Sequence, residues 1–110
     1  MSLRSSISGR AEAGLTHQYR WYFANASVEV ADRFLEGFDA TVKKLALQPG
    51  LGRRRRFRAE ELAGIRSFPV SRPYGVQLIF YRSSGDVLSI ERVMHGARDL
   101  PRRLLEPPED

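Results

Sequence analysis

The side chains able to do chemistry are concentrated in the second half of the chain. Arg53, Arg54, Arg55, Arg56 and Arg58 stand within one short stretch and together equal the whole formal net charge of +5. The remaining charges therefore balance, and the basicity is one local stripe. Such a stripe suits nucleic acid or an acidic protein; the plain alternative is a solvated loop. Farther on, His95-Gly96-Ala97-Arg98-Asp99 forms a polar corner with titratable groups. His95 is the candidate general base, with Arg66, Arg82, Arg92 and Arg98 as cations in the same half of the chain. An imidazole can take a proton near neutral pH, and guanidiniums can stabilise the anion that forms. The same residues also have structural uses. Arginines on a sheet pair with acids, here Glu91, Asp99 or Asp86, and a lone histidine can bond a backbone carbonyl. His17 lacks a third ligand nearby and is expected in solvent. With no cysteine in the chain, neither a disulfide nor a thiolate metal site is available. No metal or other cofactor is expected.

These groups must be held by a sheet. Ile65–Val70, Val76–Arg82 and Val87–His95 are strand-like runs, and Ser83-Ser84-Gly85-Asp86 links the last two as a hairpin. Val76–Arg82 is apolar on both phases, so it should be central and covered on two sides. In Val87–His95, strict alternation places Leu88, Ile90 and Met94 on one face, with Val93 and His95 on the other. Arg92 falls in phase with the apolar set. It is therefore either paired or at the point where the apolar face gives way to a concave surface.

Helices precede the sheet. Leu15, Tyr19, Tyr22 and Phe23 recur at helical spacing between Arg10 and Ala24, with Ser8 as cap and Gly14 weakening the helix by about 1 kcal/mol. A stronger stripe of Ala31, Phe34, Leu35, Phe38, Val42, Leu45 and Ala46 runs from Val28 to Gln48 and stops at Pro49-Gly50. The short break between them makes a helical hairpin, and neither stripe can be buried without the sheet. Tyr19, Trp21 and Tyr22 read as packing residues more than as a base-stacking platform. Leu3–Ser8 is either a short first strand or a frayed terminus. The Leu51–Gly64 segment is too polar to pack and should cross the surface.

The expectation is one α+β domain over residues 1–110: a helical hairpin packed on a three- to four-stranded antiparallel sheet. Its ordered core covers about residues 3–99, and a proline-rich acidic tail follows from about residue 100. The expected core is Leu15, Tyr19, Phe23, Phe34, Leu35, Phe38, Val42, Leu45, Leu78, Phe80, Leu88, Ile90 and Met94. No apolar run suits a bilayer span and the N-terminus lacks a signal-peptide core, so a cytoplasmic protein is the simplest expectation.

Several stretches together resemble the RelE/ParE toxin superfamily of type II toxin–antitoxin modules, and its ParE branch in particular. They are Ala11-Glu12-Ala13, Pro49-Gly50-Leu51-Gly52, Ile65-Arg66-Ser67-Phe68-Pro69-Val70, Leu78-Ile79-Phe80-Tyr81-Arg82 and Arg92-Val93-Met94-His95-Gly96-Ala97-Arg98-Asp99. The resemblance implies a toxin silenced by a ParD-like antitoxin, a small partner with an acidic, amphipathic segment. ParE-like members are known as DNA gyrase inhibitors; RelE-like members are ribosome-dependent mRNA endonucleases. The second activity would need Arg66, Arg92 and His95, since Arg66 and Arg92 match the usual arginine positions. The tyrosine expected near the C-terminus of an active RelE-type chain has no counterpart. A gyrase-directed binder would instead use a cationic surface: Arg53, Arg54, Arg55, Arg56, Arg58, Arg82 and Arg98. The same surface would suit an acidic antitoxin.

Overall fold

Both helices begin where a serine can accept a backbone N–H. In the computed structural model, which describes residues 2–96 and 104–105, Ser8 Oγ accepts from Ala11 N–H at 3.0 Å and opens α1, Gly9–Asn25. Ser27 Oγ accepts from Val30 N–H at 3.1 Å and opens α2, Val28–Leu47. These bonds satisfy donors that have no partner inside a helix. α2 buries Ala31, Phe34, Phe38, Val42, Leu45 and Ala46, nearly the expected stripe. Leu35 lies at its edge and is exposed.

α1 is rotated from the expected face. Its buried residues are Ala11, Gly14 and Gln18, with Leu15 and Tyr22 half-buried, whereas Phe23 is 56% exposed. The reason is the tight seat of the helix on the sheet. A Cβ at Gly14 would stand 2.1 Å from the Val93 carbonyl oxygen, so the helix backbone lies close on the sheet there; Tyr22 packs against Phe34, while Trp21 and Phe23 point outward. The helix propensity that Gly14 gives up is offset by this close approach.

The sheet has five strands in the order β1-β5-β4-β3-β2, and both helices pack on one of its faces. They are β1 Arg4–Ile7, β2 Arg53–Arg54, β3 Arg66–Pro69, β4 Gln77–Ser84 and β5 Val87–His95. Only β1 and β5 run parallel. The count exceeds the three or four expected. Leu3–Ser8 does supply a strand, and the arginine stripe supplies another. An edge strand needs hydrogen bonds on one side only, so its long charged side chains can remain in water. β4 is the middle strand, as its doubly apolar pattern requires. Val76 lies just outside it and is 53% exposed. The β4–β5 turn is shorter than expected: Ser83 and Ser84 extend β4, and Gly85 takes φ +58°.

β5 does not alternate strictly. Phe80 pairs with Arg92, but the next residue, Tyr81, pairs with Ile90. Glu91 is thus one residue too many, a β-bulge. Past it the phase inverts. Leu88, Ile90 and Val93 face the helices, while Arg92 and Met94 face away. The expected grouping of Met94 with Leu88 and Ile90 fails for this reason.

That second face is covered. Leu62, Ile65, Phe80, Met94 and Leu104 form a smaller cluster, with Phe57, Ala59 and Leu78 against it. The segment 51–64 therefore packs through Phe57 and Leu62 rather than merely crossing the surface. The expected tail also contributes, because Leu104 is only 3% exposed.

Candidate functional site

The arginine stripe is launched from a pinned turn. Pro49–Leu51 form a short 3-10 turn after α2. The Tyr81 hydroxyl donates to the Pro49 carbonyl at 2.7 Å and accepts from Gly52 N–H at 2.8 Å. A Cβ at position 52 would lie 2.3 Å from that hydroxyl, so the position suits glycine for want of space. Arg66 Nη1 closes the arrangement by donating to the Gly52 carbonyl at 2.8 Å and to the Gly50 carbonyl at 3.4 Å. Burial pushes the Tyr81 phenol up, while the Gly52 N–H and the Arg66 charge pull it partly back. Sequence reasoning took Tyr81 as an apolar strand residue. Its partners are 29 and 32 positions away, beyond any local pattern.

From Gly52 the chain enters β2, with Arg53 opposite Ser67 and Arg54 opposite Arg66. Opposed residues share a face. Arg54 therefore sits on the helix side, and Arg53 on the other. Arg55 Nε donates to Ser67 Oγ at 2.6 Å, and its guanidinium lies 6.0 Å from the Phe80 ring centroid. Burial, followed by the charge of Arg53, lowers the Arg55 pKa from its ordinary value. Arg53, Arg54, Arg56 and Arg58 are exposed, and their side chains make no hydrogen bond or ion pair among the described residues.

The remaining candidates are spread over the sheet. Arg82 Nη1 contacts both carboxylate oxygens of Glu91, at 2.6 and 2.8 Å. Its Nε donates to the Ala63 carbonyl at 2.9 Å and its Nη2 to the Glu61 carbonyl. Its donors bind the 59–65 segment to the sheet. Arg92 is 7% exposed on the face away from the helices and donates to the Leu104 carbonyl at 3.0 Å. His95 is exposed at the C-terminal end of β5, three residues on, and donates from Nδ1 to the Gly96 carbonyl at 3.0 Å. Its ring lies on the helix side, in a pocket wall shared with His17 and Trp21 of α1. His17 is half-buried there rather than simply in solvent. Arg66 is also on the helix side, but beside Tyr81, four residues along β4 from the row of His95. Arg66, Arg92 and His95 are thus not brought together. Arg98 lies outside the described residues. Among those described, no cluster of three or more His, Cys, Asp or Glu could hold a metal. Among the described residues no helix is long and apolar enough to cross a membrane.

Comparison with known proteins decides the family. The sequence matches the profile for "ParE toxin of type II toxin-antitoxin system, parDE" over residues 6–100. The chain belongs to the ParE toxin family. The fold agrees: a solved structure titled "Chromosomal ParDE TA system from P. aeruginosa" contains a similar chain. It superposes with a TM-score of 0.70 at 20% identity, over 87% of this chain and 98% of that one. No curated protein matches the sequence. As a ParE family member, this chain is a toxin of a parDE-type module built as two helices on a mostly antiparallel sheet.

Proposed function

We propose that this toxin arrests growth by binding DNA gyrase without chemistry of its own, and that a ParD-like antitoxin neutralises it. The observation that carries this reading is the separation of the groups a nuclease would need. Metal-free cleavage of RNA requires a base at the 2′-hydroxyl, cations at the phosphorane and an acid at the leaving oxygen, all around one phosphate. Here Arg92 is buried on one face, in a recess it shares with Leu62, Ile65 and Leu104, and His95 lies on the other. What the chain offers to a partner is a run of exposed cations, Arg53 and Arg54 on an edge strand and Arg56 and Arg58 in the segment that follows it. Such a row favours docking on an anionic surface, whether the target's or the antitoxin's.

The test adds purified toxin to gyrase supercoiling and, separately, to in vitro translation. Supercoiling should fail and translation should proceed. His95→Gln keeps hydrogen bonding but removes the titrating ring. It should leave toxicity near wild type in cells lacking the antitoxin, at matched expression. Loss of a general base would instead slow a ribonuclease by ~10²–10⁴-fold. Abolished toxicity in a folded His95→Gln variant, with ribosome-associated mRNA cleavage lost in parallel, would mean the ribosome is the target.

A further inference from the structure

The hairpin carries a second cationic site, unrelated to the arginine stripe. Arg33 of α2 and Arg72 of the β3–β4 connection stand at the rim of a cavity of about 410 Å³ floored by Tyr22, Val30 and Tyr74. Both arginines are exposed, and neither makes a side-chain hydrogen bond or ion pair among the described residues. The floor is fixed. Tyr74 is buried and its hydroxyl donates to the Val30 carbonyl at 2.8 Å. The Tyr22 ring meets it edge-on, 5.2 Å between centroids. The loop that carries Arg72 is fastened to α2, because Ser71 N–H donates to Thr41 Oγ1 at 3.1 Å. Gly37 keeps the cavity open: a Cβ there would lie 3.0 Å from Ser71 Oγ and 3.8 Å from the Tyr74 ring.

Tyr22 also walls the neighbouring pocket of about 470 Å³, so the two recesses share a ridge. The second has Trp21 and Val76 on its rim, 54% and 53% exposed. Exposed aromatic and aliphatic groups beside a preformed recess are the usual anchors of a protein partner. Gln77, in the same wall, has a buried Oε1 that accepts no hydrogen bond among the described residues. A donor from an incoming chain would satisfy it.

We propose that this double recess receives a peptide segment of the antitoxin, with a carboxylate between Arg33 and Arg72 and apolar side chains against Trp21 and Val76. The proposal rests on the reading that an acidic antitoxin silences this chain. A polynucleotide fits less well. Glu29, Asp32 and Glu36 are exposed on α2 around Arg33 and would repel a run of phosphates, while a single carboxylate held by two guanidiniums avoids them. The two floor rings, Tyr22 and Tyr74, also meet edge-on, which leaves no flat platform for a base.

The experiment measures binding of the product of the adjacent reading frame to wild-type toxin and to two variants, by calorimetry at two salt concentrations. Arg33→Glu with Arg72→Glu reverses the charge, and Gly37→Leu fills the floor without changing it. Each variant is first shown to keep its circular dichroism and melting temperature. If Gly37→Leu does not fold, the arginine pair alone decides. Both should weaken binding by roughly 30-fold or more, only the arginine pair should alter its salt dependence, and gyrase inhibition should stay within about threefold of wild type. Binding within about threefold of wild type in the arginine variant would sink the groove and leave the antitoxin reading standing. No binding to wild-type toxin would sink that reading itself, and the groove with it. Loss of binding to a single-stranded oligonucleotide probe, with antitoxin binding unchanged, would reassign the recess to nucleic acid and overturn the proposal.

Discussion

Arg82 and Arg54 lie two strands apart on one sheet, yet their surroundings differ. Arg82 is half-buried and spends its donors on Glu91 and on the carbonyls of Ala63 and Glu61. Arg54 stands at the edge, exposed, with no partner among the described residues. Arg66 and Arg92 behave like Arg82, and Arg53, Arg56 and Arg58 like Arg54; Arg55 falls between, tied to Ser67. What separates the two sets is backbone carbonyl supply. Where strand and loop turn carbonyls toward a guanidinium, the arginine becomes part of the frame. Where β2 runs along the edge, nothing is offered and the charge remains available to a partner.

The sharpest way to test this division is to remove a frame arginine. Arg82→Ala leaves Glu91 without its cation and removes the bonds that tie the Glu61 and Ala63 carbonyls to the sheet. Bonds to charged groups contribute about 1.5–3 kcal/mol, and partial exposure puts the expected loss at the lower end. Urea unfolding measures it; a loss under about 0.5 kcal/mol would move Arg82 into the free set. Tyr81→Phe, which unpins the turn before β2, should cost about 1–2 kcal/mol by leaving the Pro49 carbonyl and Gly52 N–H without their partner. It also has a pH signature. The folded phenol titrates above its ordinary 10.0 because burial disfavours the anion. Its contribution is therefore complete below pH 10.0 and lost as pH rises through the higher folded value. Between those limits, wild-type stability should fall more steeply with pH than that of Tyr81→Phe. Parallel slopes would mean the hydroxyl is not held as described.

The smallest effect on stability belongs to the edge. Arg54→Glu with Arg56→Glu should leave the urea midpoint in place while weakening toxicity, and the weakening should fade as salt is raised. This pair is cleaner than one containing Arg55, whose bond to Ser67 would confound the result. A shifted midpoint would show that the edge arginines belong to the frame after all.

The elements themselves were legible in the sequence because both helices and the three strands from Arg66 to His95 follow strong periodic patterns. Two things were not. The bulge at Glu91 is a matter of pairing between β4 and β5, and one inserted residue inverts the faces of all that follows it. The face of α1 differs because close approach, not hydrophobicity, set it: Gly14 faces β5 where a Cβ would meet the Val93 carbonyl. The candidate site divided the same way. The stripe is a local run and was visible. Arg33 and Arg72 are 39 positions apart, and no spacing rule could join them.

β2 has one further consequence. It is a two-residue edge, and an uncovered edge invites another strand to add to it. Two copies that met there would bring like-charged guanidiniums into register, and mutual repulsion would hold them apart. The arginines proposed to meet a partner would thus also keep the free toxin from stacking on itself. Neutralising them, by mutation or by high salt, should turn a clear concentrated solution turbid.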